Sequence, residues 1–561
     1  MDEKQVWLVL GIEPTKNEEE IKQAYRSKLV NVNPEDDPEG FKRLREAYEQ
    51  ACSLAAQEPA EQEKGPEGPL GEWLDKVKAV YEKLSTRIDP ESWKELFRDD
   101  ICMDLETGPE VRTELLKYCM DHFRLPSRIW MLMDEQFSLM GDMEELKESF
   151  PLDFLQFVEN KCTQEEWFSY EYFEGPDDAE YDAYLSLFFE IRRDVEEGKF
   201  SSLDELFSQA ESLGIYHPYL EVSRAEAKIK QEQPQEAVEL LTPLEEKYPQ
   251  DWWIAYVTGQ AYWELERFGE ANDCYKKVLE TEKDHYTARF RCAEYLEKTG
   301  QYEEAKESFI AIMNDISDNQ DVRARLKEVN EHLIPRFFEE CGAEPDNFAV
   351  RFKLGWCLLQ NERNEEGVEL LAGVTPDAEN EAEYHSLIGR FYYNLSEFDE
   401  ARQHFEAWIK SIRSETPQDE EEEQALPGRF LKAYSLLAAS DQKLGDSDPK
   451  YYDEALTAID QALAYIEDNG ALQQKADILL HMERYRESVD ICDQILENDS
   501  RYLPALVTRQ DAYFHLRCAQ EVIDDFYKIK EIFPYIPKTY ELPAEVFYIY
   551  RQYDDVQSIL D

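Results

Sequence analysis

From about Tyr216 to its end the chain repeats one pattern of small and large apolar positions at a fixed distance. Ala237, Ala271 and Ala305 are spaced 34 residues apart. Twelve residues before each stands another small residue, Ala225, Gly259 or Ala293. Four after each comes Leu241, Tyr275 or Phe309, and seven after comes Leu244, Val278 or Ile312. The template fits again at Gly355, Gly367, Leu371 and Val374, and at Gly389, Tyr392, Ala401, Phe405 and Trp408. With an insertion it fits Ala455, Ile459 and Ala462, and more loosely Ala476, Ser488, Cys492 and Ile495. Small residues let two antiparallel helices approach closely, and the larger ones fill the space between neighbouring pairs. A period of this length predicts a stack of helical hairpins.

The remainder also reads as helix. Near the start, Asn17 and Glu20 form a capping box, and Ile21, Ala24, Tyr25 and Leu29 mark one apolar face with Lys22, Arg26 and Lys28 away from it. Asn33-Pro34-Glu35-Asp36 is a break, and Asp37-Pro38 opens a helix carrying Phe41, Leu44, Ala47, Tyr48 and Ala51. A Pro-, Gly- and Glu-rich stretch follows. After Trp73, Val77, Val80, Tyr81 and Leu84 recur at spacings of three and four, and Asp89 with Pro90 reads as a cap and first helical residue. Tyr170 to Asp178 is a second break. The expected class is all-α, with a small module at 1–57, a linker at 58–71, a helical middle domain at 72–170, a connector at 171–217 and a solenoid at 218–561.

Composition narrows the function. The 561 residues are 42% hydrophobic and 13% aromatic, so the chain has ample apolar surface to bury, and its net charge is −63. Such an excess of acid argues against a nucleic-acid backbone and an anionic membrane as partners. It suits either a solvated helical surface or a basic partner. The start lacks the basic-then-apolar pattern of a signal peptide, and no window is apolar enough to cross a bilayer, which predicts a soluble, cytoplasmic chain. Ten scattered cysteines, none in a C-x-x-C pair, read as small buried hydrophobes in a reducing compartment. No phosphate loop, zinc-protease motif or nucleophile elbow stands in a fitting context, and the eight histidines are dispersed. No enzyme, metal or cofactor is expected. The acidic run Asp419 to Glu423 reads as a solvated loop, with a docking strip for a basic peptide as the alternative.

With small residues at repeat positions eight and twenty and apolar ones at twenty-four and twenty-seven, region 218–561 resembles the tetratricopeptide repeat. Pro249 and Pro534 supply the family's late proline in two copies. The resemblance implies protein binding in a groove faced by positions two, five and nine of each first helix. That places Trp253, Tyr256, Phe290, Phe352 and Trp356 in or near the groove, as anchors for a peptide or as packing between repeats. The Lys/Asn/Arg set with which some members clamp an acidic carboxyl terminus is not evident at Trp253, Tyr256, Val257 and Gln260, or at Thr287, Phe290, Arg291 and Glu294. The expected ligand is therefore an apolar or basic segment.

The first 57 residues resemble the J-domain of Hsp40 co-chaperones, in Trp7 to Ile12, Glu20 to Arg26, and Phe41 to Tyr48. The family's His-Pro-Asp loop stands here as Asn33-Pro34-Glu35. Asn cannot carry the imidazole's charge, and Glu holds its carboxylate one methylene farther out. The resemblance implies docking to an Hsp70 through that loop and the basic Lys22, Arg26 and Lys28. The expected function is a co-chaperone-like adaptor with a protein or peptide in the groove and an Hsp70 as second partner. The alternative is an interaction scaffold with no Hsp70 coupling.

Overall fold

The computed structural model describes residues 68–549, except 105–106, 165, 317–318, 418 and 535, together with Thr15, Lys22, Ala51 and Pro66. Among these the architecture is all-α. The strand-like pairing present there is an isolated bridge between Glu174 and Tyr216. The chain divides into two compact units, Met1–Lys247 and Tyr248–Asp561.

In the first unit, helices of four to fourteen residues from Pro69–Glu82 to Leu152–Thr163 enclose one core. Trp73, Trp93 and Trp130 are buried at its centre. Two of them find carbonyl acceptors: the Trp73 indole donates to Leu96 O at 3.0 Å and the Trp93 indole to Arg87 O at 2.9 Å. Asp89 caps the Pro90–Phe97 helix by accepting from the Glu91 and Ser92 amides, as the sequence predicts. The second predicted break is a 3₁₀ turn, Tyr170–Tyr172, followed by a loop tied back to the middle helices. Asp177 accepts from the Ser85 amide at 2.7 Å and its hydroxyl at 2.9 Å, and Arg87 pairs with Asp182 at 2.9 Å. Two hairpins complete the unit, Tyr181–Glu196 with Leu203–Ser212 and Pro218–Lys230 with Pro234–Lys247.

The second unit is a succession of hairpins: Trp252–Glu264 with Phe268–Thr281, Tyr286–Lys298 with Tyr302–Asp315, Phe348–Gln360 with Asn364–Leu371, Glu381–Asn394 with Phe398–Ser414, Glu420–Gly445 with Lys450–Leu463, Asn469–His481 with Tyr485–Asn498, and Leu503–Leu516 with Ala519–Ile532. The small residues of the sequence template are buried in both units. Geometry shows why they are small. A Cβ built on Gly367 would lie 2.2 to 2.5 Å from the Phe391 ring, and one on Gly389 would lie 2.7 Å from Phe405. Many first helices are capped by a polar side chain: Asp251 accepts from Ile254 N at 2.9 Å, Asn347 from Val350 N at 3.3 Å and Asp468 from Ala471 N at 2.9 Å.

The turn inside most hairpins holds one residue in the left-handed region, the Glu420–Gly445 and Lys450–Leu463 pair being an exception. Glu232, Glu266 and Gly300 occupy it at successive 34-residue steps, and Glu362 with Ser396 and Glu483 with Arg517 continue the series in phase-shifted pairs. The amide after each closes the helix end, as Arg267 N does on Tyr262 O and Gln301 N on Leu296 O, both at 2.9 Å.

Two features depart from the template. A 24-residue helix, Gln320–Ala343, is inserted between hairpins and shifts the phase of the repeat. The acidic run is not a loop: Asp419 caps a 26-residue helix, Glu420–Gly445, and Glu420 to Glu423 form its first turn. Acid there faces the positive end of the helix dipole, so this run stabilises helix where charge density alone suggests solvated coil.

Candidate peptide-binding surface

The J-like loop Asn33, Pro34 and Glu35, with Arg26 and Lys28 of the basic face, lies outside the described residues. Lys22 is helical and half-buried.

The five aromatic groove candidates all lie on described helices, but they do not form one site. Trp253 and Phe352 are 4% and 3% exposed, enclosed by neighbouring helices. Tyr256 is half-buried; its hydroxyl accepts from Gln260 Nε2 at 3.0 Å and its ring is 4.7 Å from His285. It packs in a cluster with Ala271, Tyr275 and Ala288. Phe290, Phe352 and Trp356 join a different cluster. Phe290 lies against Tyr286 and Phe309, at ring distances of 5.8 and 5.7 Å.

Trp356 is the most open in function. Half-buried, it donates its indole N–H to Glu383 Oε1 at 2.9 Å. Its ring walls a cleft of about 420 Å³ formed by the Tyr302–Asp315, Gln320–Ala343 and Phe348–Gln360 helices. Ile310, Leu333 and Phe337 supply the apolar lining, with Lys306 and Lys353 on the cleft wall. Lys353 Nζ pairs with Glu303 at 2.7 Å, and Arg336 also engages Glu303. The inserted helix contributes Leu333 and Phe337, so the cleft exists because of that insertion.

Beside Trp356 stands Arg390, which sequence reasoning missed. Gln260, Glu294, Trp356 and Arg390 each follow the small residue of their helix, so they share one register position. Three of them have partners: Gln260 with Tyr256, Glu294 with Arg291 at 2.6 Å, and Trp356 with Glu383. Arg390 is held between two indoles instead. Its guanidinium carbon is 5.6 Å from the Trp356 ring centre and 5.8 Å from that of Trp408. Its Nε is buried without a hydrogen bond, and among the described residues it has no ion pair. Burial pushes the guanidinium below its ordinary value, with no carboxylate opposing the shift. Other arginines of this unit meet carboxylates: Arg402 reaches Asp441 at 2.6 Å, Arg509 grips Asp525 through two bonds of 2.9 and 2.6 Å, and Arg325, whose Nε is likewise buried without a hydrogen bond, pairs with Glu297 at 2.7 Å. The signal available in the sequence was the register, extended from Gln260 and Glu294 to Gly389-Arg390.

On the Arg390 helix, His385 and His404 of its partner helix meet through their Nδ1 atoms at 2.9 Å. Burial holds both below the usual histidine value, His404 at about 4, so the pair is neutral near pH 7, one ring donating and the other accepting. No charge from this pair offsets or reinforces Arg390.

The fold and these surfaces define an all-α protein carrying tetratricopeptide repeats. Tetratricopeptide family models match residues 222–271, 256–309 and 336–391. More particularly, residues 71–165 match the second domain of the DjlB/C proteins, a DnaJ-related family. No curated protein matches the chain. Among solved structures, the tetratricopeptide domain of P58(IPK) is 15% identical, covering 60% of this chain and 98% of that one with a TM-score of 0.21. A tetratricopeptide repeat protein from Parabacteroides merdae is 16% identical, covering 44% of this chain and 99% of that one with a TM-score of 0.24. A Naa15/Naa10 structure bound to HypK-THB is 12% identical, covering 67% of this chain and 68% of that one with a TM-score of 0.25. Likeness at these scores carries nothing about function.

Proposed function

We propose that the chain is a co-chaperone-like adaptor that holds a protein partner on its helical repeats and brings it to an Hsp70 through its amino-terminal residues. One observation carries the reading: tetratricopeptide repeats stand in the same chain as a DnaJ-related second domain, directly after residues that resemble a J-domain. Stacked helical hairpins expose long surfaces that suit protein binding. Lys22, Arg26 and Lys28 are the Hsp70-docking face of this reading, and Asn33-Pro34-Glu35 is the docking loop.

The test is the ATPase rate of a cognate Hsp70 in the presence of the full chain. Stimulation is expected, stronger after Asn33→His with Glu35→Asp, and lost after Lys22→Glu with Arg26→Glu and Lys28→Glu. Absence of both binding and stimulation, even with the restored tripeptide, overturns the reading. The altered tripeptide favours a second reading, a scaffold with no Hsp70 coupling. That reading predicts that removing residues 1–57 leaves partner capture unchanged.

A further inference from the structure

We propose that Arg390 and Trp356 form a docking point for an internal Asp or Glu side chain that lies beside a large apolar residue on an extended segment of the partner protein. The proposal rests on the adaptor reading and names the chemistry of its ligand.

The first argument is the missing counter-charge. Arginine keeps its charge in proteins and presents five N–H donors. The Trp356 and Trp408 faces attract the cation, but aromatic rings do not replace the hydrogen bonds that burial removes. The chain has 124 acidic residues, yet Arg390 pairs with none among those described. Where this unit buries an arginine contact for structure, a carboxylate meets it, as Asp441 meets Arg402 and Asp525 meets Arg509. An incoming carboxylate supplies what Arg390 lacks, and it matches the planar fork of the guanidinium.

The second argument is the cleft. Trp356 belongs to both features: it lines the cleft with Ile310, Leu333 and Phe337, and its ring lies 5.6 Å from the Arg390 guanidinium. A ligand that reaches both must carry a carboxylate and an apolar side chain a short distance apart. A chain-terminal carboxylate fits less well. It is held best by several converging donors, whereas Arg390 stands alone between ring faces. A single side-chain carboxylate on a continuing chain matches one cation with an apolar neighbour.

The probe is N-acetyl-Leu-Asp-Phe-amide, read through the indole N–H resonances of Trp356 and Trp408, assigned with Trp356→Phe and Trp408→Phe. It is expected to shift both signals saturably at millimolar concentration. Its Asn analogue should bind at least tenfold more weakly, and Arg390→Gln should reduce the acidic probe to the level of that analogue. Equal affinity of the two probes, unchanged affinity in Arg390→Gln, or no shift with either probe overturns the proposal. So does tighter binding of N-acetyl-Leu-Ala-Phe with a free terminal carboxylate, which would assign the site to chain ends. Arg390→Met separates docking from packing: its unfolding midpoint should equal or exceed that of the parent, and a marked fall would make Arg390 a structural residue and overturn the assignment. Hsp70 ATPase stimulation is measured in parallel on the parent chain. Failure of the peptide assay with stimulation intact therefore refutes this inference alone, and loss of stimulation in the parent chain refutes the adaptor reading.

Discussion

His217 makes the first unit sensitive to mild acid, and the size of the effect follows from its surroundings. The residue is 0% exposed and caps the Pro218–Lys230 helix. Its Nε2 lies 3.0 Å from Ser169 O, and its Nδ1 lies 3.2 Å from the Tyr219 amide nitrogen. A carbonyl only accepts and an amide N–H only donates, so the ring is neutral with its proton on Nε2. Phe168 stacks on it at 4.5 Å, and Phe173 and Tyr219 close the remaining sides. Protonation would bury a charge among aromatic rings and aim a second N–H at the Tyr219 amide. Burial is the main cause that holds its pKa at about 3, against an ordinary 6.5.

The sign follows from linkage. The folded pKa is depressed, so below pH 6.5 the unfolded chain binds a proton that the folded chain refuses. The contribution is full above pH 6.5 and is lost as pH falls towards 3. Each pH unit in that window removes about 1.4 kcal/mol, or about 2 kcal/mol between pH 7.5 and 5. The control is His217→Asn, which keeps a capping acceptor and does not titrate. Urea unfolding of the Pro218–Lys230 helix, followed by hydrogen exchange, gives the stability of both proteins across this range. His385 and His404 titrate in both proteins and cancel in the difference. The parent should lose about 2 kcal/mol relative to His217→Asn over the range. A pH-independent difference, or an NMR titration placing His217 near 6.5, refutes the reasoning.

Two stability predictions follow from the repeats. Gly367→Ala drives a methyl into the buried Phe391 ring and should cost about 1–3 kcal/mol by thermal unfolding, with Phe391→Leu in the same chain recovering part of the loss. A left-handed backbone strains glutamate and not glycine. Glu266→Gly and Glu362→Gly should therefore stabilise by up to about 1 kcal/mol each, and Gly300→Ala should destabilise by a similar amount; a stabilised Gly300→Ala would contradict the turn geometry.

The hairpins were legible because close helix approach leaves a record in residue size. Ala237, Ala271, Gly367 and Gly389 are small for a reason that acts at each position separately. Asp89 before Pro90 is legible on the same ground, since a cap is a local device. The turns were not, because glutamate at 232, 266, 362 and 483 gives no glycine signal where the backbone turns left-handed. The acidic run misled because charge marks solvent exposure equally well on a coil and on the first turn of a helix. Aromatic type did not separate Trp356, at the edge of a cleft, from Trp253 and Phe352, which are enclosed. Arg390 is a relation among three helices, and no single position announces it.

The net charge of −63 and a carboxylate ligand are compatible once distance is considered. Two unit charges 4 Å apart near a protein surface attract with about 4 kcal/mol gross, at an effective dielectric of about 20. A like charge at about 15 Å in water repels by only about 0.3 kcal/mol, and a Debye length of about 8 Å at physiological salt reduces that to about 0.04 kcal/mol. Summed over the whole net charge at that distance, the repulsion is about 2.7 kcal/mol gross, below the single contact at Arg390. The charge of the whole chain therefore governs how often an acidic segment arrives, and the pairing at Arg390 governs whether it stays. An expectation of apolar or basic ligands drawn from total charge and from the first repeats describes the approach. The half-buried guanidinium beside Trp356 selects the contact, and for that contact the missing partner is a carboxylate.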